Sequence, residues 1–139
     1  GTEPVPGIVG LGVACDRAAA ALPGNQIAMR VLRDRFETQL LAQIPDVQIN
    51  AATAPRLPNT SHVSFLGRSG ATILGHAPAL VASTGSACHD SSLAPSHVLQ
   101  AIGASPATIA GAVRFSFGPD TTAADLARAV AALVDATRR

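Results

Sequence analysis

The stretch Ser83-Thr84-Gly85-Ser86-Ala87-Cys88-His89-Asp90-Ser91-Ser92 holds one of the two cysteines in the chain. Small residues and hydroxyls on both sides leave the backbone free to move, and the sulfur lacks the apolar neighbours that keep structural cysteines inert. One reading of Cys88 is a nucleophile on a mobile loop, with His89 and backbone amides available to favour the thiolate. The other is a small hydrophobe that ends a strand, since unpaired cysteine is among the residue types most often buried. Cys15, in an Ala-rich run with apolar neighbours, reads as structural.

Arg114 is the second residue that could do chemistry. It stands in Val113-Arg114-Phe115-Ser116-Phe117, whose alternation sends three apolar side chains to one face and Arg114 and Ser116 to the other. A guanidinium there cannot be buried without a partner. Its face must offer a carboxylate for a salt bridge, or open onto a ligand site where Arg114 clamps a substrate carboxylate. His62 alternates with Val63 and reads as a partly exposed strand residue rather than a ligand. Cys88, His89 and His97 are the soft donors a metal could use, but no pair has a spacing typical of zinc, so no metal is expected.

The elements that position these residues must be built from an unusual composition. The 139 residues are one domain's worth, 47% apolar and only 14% charged, with 3% aromatic residues and no Trp or Tyr. A net charge of +1 with no aromatic platform makes nucleic acid an unexpected partner. No apolar run is read as long enough to span a bilayer, and the stretch Gly1-Thr2-Glu3-Pro4 has neither a basic leader nor a hydrophobic signal segment, so no membrane partner is expected. Two cysteines make no disulfide framework, and a reducing cytoplasm is the expected location. All ten basic residues are arginine. Chemistry that needs a Schiff-base amine cannot be completed by this polypeptide alone.

Along the chain, residues 1–7 are a proline-stiffened lead-in. A helix is expected from Ile8 to about Leu22, with Gly10 and Gly12 marking close packing against a neighbour. Pro23-Gly24-Asn25 is expected to break it and cap a second helix from Gln26 to about Gln43. In that helix Met29, Leu32, Phe36 and Leu40 form the inward stripe, while Arg30 with Asp34 and Arg33 with Glu37 read as i,i+4 pairs on a solvated face. Strands follow at Val47–Ile49 and His62–Leu66, a short helix through Ile73 and Leu74, and a strand over Ala79–Ala82 leading into the cysteine loop. Pro95 is placed to start a helix that stops at Gly103, and a helical turn follows Pro106. After the strand around Arg114, Thr122 to Arg138 is an amphipathic helix. This order argues for an α/β fold, a small sheet covered by helices.

Several motifs together resemble a known family. Ser83-Thr84-Gly85-Ser86-Ala87-Cys88, Leu93-Ala94-Pro95-Ser96-His97-Val98-Leu99 and Val113-Arg114-Phe115-Ser116-Phe117-Gly118 resemble the C-terminal third of the cysteine desulfurases and selenocysteine lyases. These are pyridoxal phosphate (PLP) enzymes of the class V aminotransferase family. Arg56-Leu57-Pro58-Asn59-Thr60 with Val63-Ser64-Phe65, and Gly1-Thr2-Glu3-Pro4-Val5-Pro6-Gly7-Ile8-Val9-Gly10, resemble the same family in the same order.

The resemblance implies the small C-terminal domain of a type I PLP-dependent transferase fold. Residues 1–24 would be the end of the large cofactor domain with its connecting helix, and 25–139 the small domain. It further implies that Cys88 takes sulfur from L-cysteine as a persulfide, leaving alanine, and passes it to an acceptor protein, as in iron-sulfur cluster assembly. Arg114 would hold the substrate carboxylate, and Thr2 would reach across a homodimer to the cofactor phosphate. His89 stands where a small hydroxyl residue is often found and where selenocysteine lyases also carry His. The cofactor lysine of the family has no counterpart here, so the chain alone is expected to hold no PLP covalently and to be inactive. The alternatives are a selenocysteine lyase and a non-catalytic sulfur-carrier or dimerisation module using Cys88.

Overall fold

Alternation of apolar and polar residues in three segments builds a small antiparallel sheet. The computed structural model describes residues 1–85 and 96–139. Its elements are α1 (Val5–Gln43), β1 (Val47–Ile49), β2 (Thr60–Phe65), α2 (Gly70–Gly75), α3 (His97–Ala101), α4 (Pro106–Ala110), β3 (Ala112–Ser116) and α5 (Ala123–Thr137). The strands lie in the order β1-β2-β3, with Val47 opposite Phe65 and Val63 opposite Val113. Val63, Phe65, Val113 and Phe115 point to one face, where Phe36 and Leu40 of α1 and Leu126, Val130 and Leu133 of α5 cover them. Phe36 sits with its ring 5.1 Å from Phe115 and 5.5 Å from Phe117, tilted against both. Side chains of this size contribute roughly 1.5–3 kcal/mol each when fully buried, which makes this face the anchor of the fold.

Two glycines close the packing. A Cβ on Gly111 would lie 2.1 Å from Phe65 O, and one on Gly70 would lie 2.6 Å from Ala112 O. Both let backbone approach backbone where no side chain fits. At the other end, Thr122 caps α5 by accepting from Asp125 N, while Asp125 accepts from Thr122 N, so two orphan donors are satisfied reciprocally.

Several expectations are corrected. The two expected helices are one helix, because α1 runs through Pro23. Proline there removes one backbone hydrogen bond and costs about 3 kcal/mol, and Gly24 and Asn25 after it are poor helix formers, yet α1 continues from the Ala-rich run before Pro23 into the run that starts at Gln26. The first half of α1 meets no other part of the described chain. Val5, Ile8, Leu11 and Leu22 are more than half exposed, Gly10 and Gly12 have open space around them, and Cys15 is exposed rather than packed. As one unbroken helix of 39 residues, α1 is long and apolar enough by composition to cross a bilayer, contrary to the expectation that no run reaches that length. The same test is passed by core helices of soluble proteins.

Arg33 and Glu37 are buried, not solvated, and they do not pair with each other. They share the inward stripe with Phe36 and Leu40, so burial forces each to find other partners. Glu37 is gripped by Arg56 at 2.7 and 3.1 Å and by Ser61 Oγ at 2.8 Å. Arg33 bonds Asp34 and donates to Leu57 O at 2.9 Å, closing the 50–59 loop onto α1. Finally, the strand expected over Ala79–Ala82 is absent. Val81 is fully exposed, and among the described residues of this segment only Ser83 makes a bridge to β3.

Candidate functional site

The face of the sheet opposite the core carries the candidate site. On β3, Val113 and Phe115 turn inward, so Arg114 between them is directed outward and is exposed. Both of its backbone groups are taken by Ser83: Arg114 N donates to Ser83 O at 2.7 Å, and Ser83 N donates to Arg114 O at 3.2 Å. The segment that leads to Cys88 is thus tied to the strand of Arg114 five residues before the thiol. Cys88 and His89 themselves lie outside the described residues, as does Pro95. The described start of α3 is capped by Ser96, whose hydroxyl accepts from Leu99 N.

Because its backbone bonds go to Ser83, Arg114 forms a non-hydrogen-bonded pair with His62 across β2 and β3. Such pairs bring the two side chains closer than the hydrogen-bonded kind. His62 is half-buried, and the desolvation of its ring, with the Arg114 charge beside it, pushes its pKa below the ordinary histidine value. Among the described residues no carboxylate pairs with the Arg114 guanidinium. Of the two options for Arg114, an internal salt bridge and an open ligand site, the first is not realised among the described residues.

Behind this pair runs a polar chain that sequence reasoning did not find. Asn50, buried at the end of β1, bonds both His62 Nδ1 and Ser64 Oγ at 2.8 Å, and Ser64 Oγ donates to Thr108 O at 2.8 Å. The alternation of His62 and Ser64 on one face was a signal for half of it. Nothing in the sequence brings Asn50 and Thr108 to the same place. Thr2 lies before α1, exposed, and among the described residues its side chain makes no hydrogen bond. The structure therefore brings together Arg114, His62 and the base of the cysteine loop, and does not bring Thr2 to them.

A model of the family described as aminotransferase class-V matches residues 1–129. A cysteine desulfurase of Gluconacetobacter diazotrophicus is 44% identical over 130 residues, which cover 92% of this chain and 32% of that protein. Cysteine desulfurase IscS of Methanosarcina thermophila is 43% identical over 130 residues, with the same coverage of each. Among solved structures, a NifS-like protein from Rickettsia africae superposes with a TM-score of 0.83 at 25% identity, covering 100% of this chain and 36% of that one. The chain thus spans about a third of the length of the relatives it matches. Its helices and three-stranded sheet match part of a PLP-dependent transferase fold. By the match along nearly its whole length, the chain belongs to the class-V aminotransferase family.

Proposed function

We propose that this chain is the C-terminal part of a PLP-dependent cysteine desulfurase. The observation that carries the reading is Arg114: a cation exposed on a rigid strand, without a carboxylate partner among the described residues, and bridged at its backbone to the segment that leads to Cys88. The names of the relatives support the same chemistry. In this reading Arg114 binds the carboxylate of L-cysteine through paired N–H donors, and Cys88 as thiolate receives the substrate sulfur. The substrate C–S bond breaks, a Cys88 persulfide forms, and the substrate carbon takes a proton to become alanine. The persulfide sulfur then passes to an acceptor protein, in a reducing cytoplasm that keeps the thiol free.

The residues in hand do not by themselves fit a covalently held PLP. The cofactor's aldehyde needs an amine, and the sequence has no lysine. In this reading the amine comes from residues outside these 139, the chain alone is inactive, and residues 1–24 belong with the cofactor domain. The exposed apolar side chains of Val5, Ile8, Val9 and Leu11 support that division. Thr2 would approach the cofactor phosphate of the partner subunit in a homodimer.

The missing lysine also favours a second reading, a sulfur-carrier or dimerisation module in which Cys88 holds sulfur made elsewhere. The two separate on an alanine assay of the protein encoded by the complete reading frame, supplied with PLP and L-cysteine. The desulfurase reading expects alanine, and Arg114→Gln should lower kcat/KM about 30- to 150-fold, the loss of a charge-assisted hydrogen bond of ~2–3 kcal/mol. No alanine from the wild-type protein would leave the carrier reading in place.

A further inference from the structure

The polar chain behind Arg114 fixes a protonation state as well as a position. Ser64 Oγ has one hydrogen, and it goes to Thr108 O. Toward Asn50 that oxygen can only accept, so the atom facing it must be the amide nitrogen of Asn50. The second amide hydrogen then points at His62 Nδ1, 2.8 Å away, which makes Nδ1 an acceptor. A neutral imidazole with an accepting Nδ1 carries its proton on Nε2. Protonating Nδ1 as well would set two donors against each other beside a buried amide. Among the described residues, Arg114 on β3 is the charged group facing His62, and it too opposes an imidazolium. Asn50, Ser64 and Thr108, on its other sides, are neutral.

We propose that His62 is a second binding residue of the Arg114 site, held by Asn50 as the neutral Nε2–H tautomer so that it donates one hydrogen bond to a carboxylate seated on the guanidinium. The inference rests on the reading of Arg114 as a carboxylate clamp. A neutral donor suits the place for a physical reason: an imidazolium would repel Arg114 when no ligand is bound, whereas an N–H adds directionality without that repulsion. The lowered pKa of His62 keeps this neutral donor in place below the point at which an ordinary histidine would take up a proton.

The test uses protein labelled with ¹⁵N in histidine and arginine, with His62 assigned by the His62→Leu variant, Arg114 by Arg114→Gln, and acetate as the probe at constant ionic strength. Wild-type His62 should show an unprotonated Nδ1 and a protonated Nε2, and acetate should shift its Nε2–H and the Arg114 amide together. His62→Leu should weaken acetate binding about 5- to 10-fold, one neutral hydrogen bond, while Arg114→Gln should abolish it. In Asn50→Asp the accepting carboxylate should move the proton to Nδ1 and raise the His62 pKa, a signature that mere packing would not produce. A proton on Nδ1 in the wild type, or unchanged acetate affinity in His62→Leu with binding lost in Arg114→Gln, would overturn the role of His62 alone. Acetate binding that survives Arg114→Gln, or no acetate shift in the wild type, would overturn the clamp and with it this inference.

Discussion

At the scale of single residues, the exposed face and the buried face of this sheet use charge in opposite ways. Glu37 is an inward carboxylate whose oxygens are taken by Arg56 and Ser61, and its hydrogen bonds are the main reason the Arg56 pKa is raised. Glu37→Ala should therefore destabilise the fold by about 3–5 kcal/mol, because it strands a partly buried guanidinium. Chemical denaturation of the single variant and of Glu37→Ala with Arg56→Ala checks this, and the double variant should recover part of the loss. His62 gives a pH prediction with a definite sign. Its folded pKa lies below its unfolded one, so between the two the unfolded chain binds more protons and stability falls as pH falls. The urea midpoint should drop on going from pH ~7.5 to pH ~5.5, and His62→Gln should drop less, since the ordinary histidine value of about 6.5 lies inside that window. The outward placement of Arg114 was legible because it alternates with Val113 and Phe115, which face the core. Arg33 and Glu37 were misread because i,i+4 spacing suggests a surface pair, and the sequence does not say which side of the helix the sheet will cover.

At the scale of elements, the strands were the most legible parts. Val47–Ile49 stands as expected, and β2 and β3 lie within two residues of the expected strands. Alternation with a period of two leaves little freedom once Val63, Phe65, Val113 and Phe115 must all face the same core. The segment before the cysteine loop was not legible. Ala79–Ala82 is apolar enough for a strand, but among the described residues the outer edge of β3 pairs only with Ser83. The tight spot between β2 and the turn into β3 tests the packing directly. Gly111→Ala, whose backbone φ of −85° suits alanine, should cost about 1–3 kcal/mol or more through its clash with Phe65 O alone. At the start of α5, Thr122→Ala removes one half of the capping box and should cost about 1 kcal/mol. A fall in thermal midpoint for each, with an unchanged circular dichroism spectrum at low temperature, is the expected result.

At the scale of the whole molecule, the chain divides into a packed unit and an extended apolar helix. The buried residues of α1 begin only at Arg33, and the preceding turns expose Val5, Ile8, Val9, Leu11 and Val13. That asymmetry, the absent lysine and the one-third coverage of the relatives support the proposed reading, in which the amine that holds the cofactor lies outside these 139 residues. The lack of lysine was plain in the sequence, but Pro23 hid the continuity of α1, because proline inside a helix usually kinks or ends it. The central claim is that Cys88 accepts a sulfur atom. The most direct test is the mass of the Cys88 peptide after the protein of the complete reading frame, loaded with PLP, meets L-cysteine. The account predicts a gain of one sulfur on Cys88, matched by alanine, and lost in Cys88→Ser. Alanine formed equally well by Cys88→Ser, or a wild-type Cys88 that never gains sulfur, would contradict it.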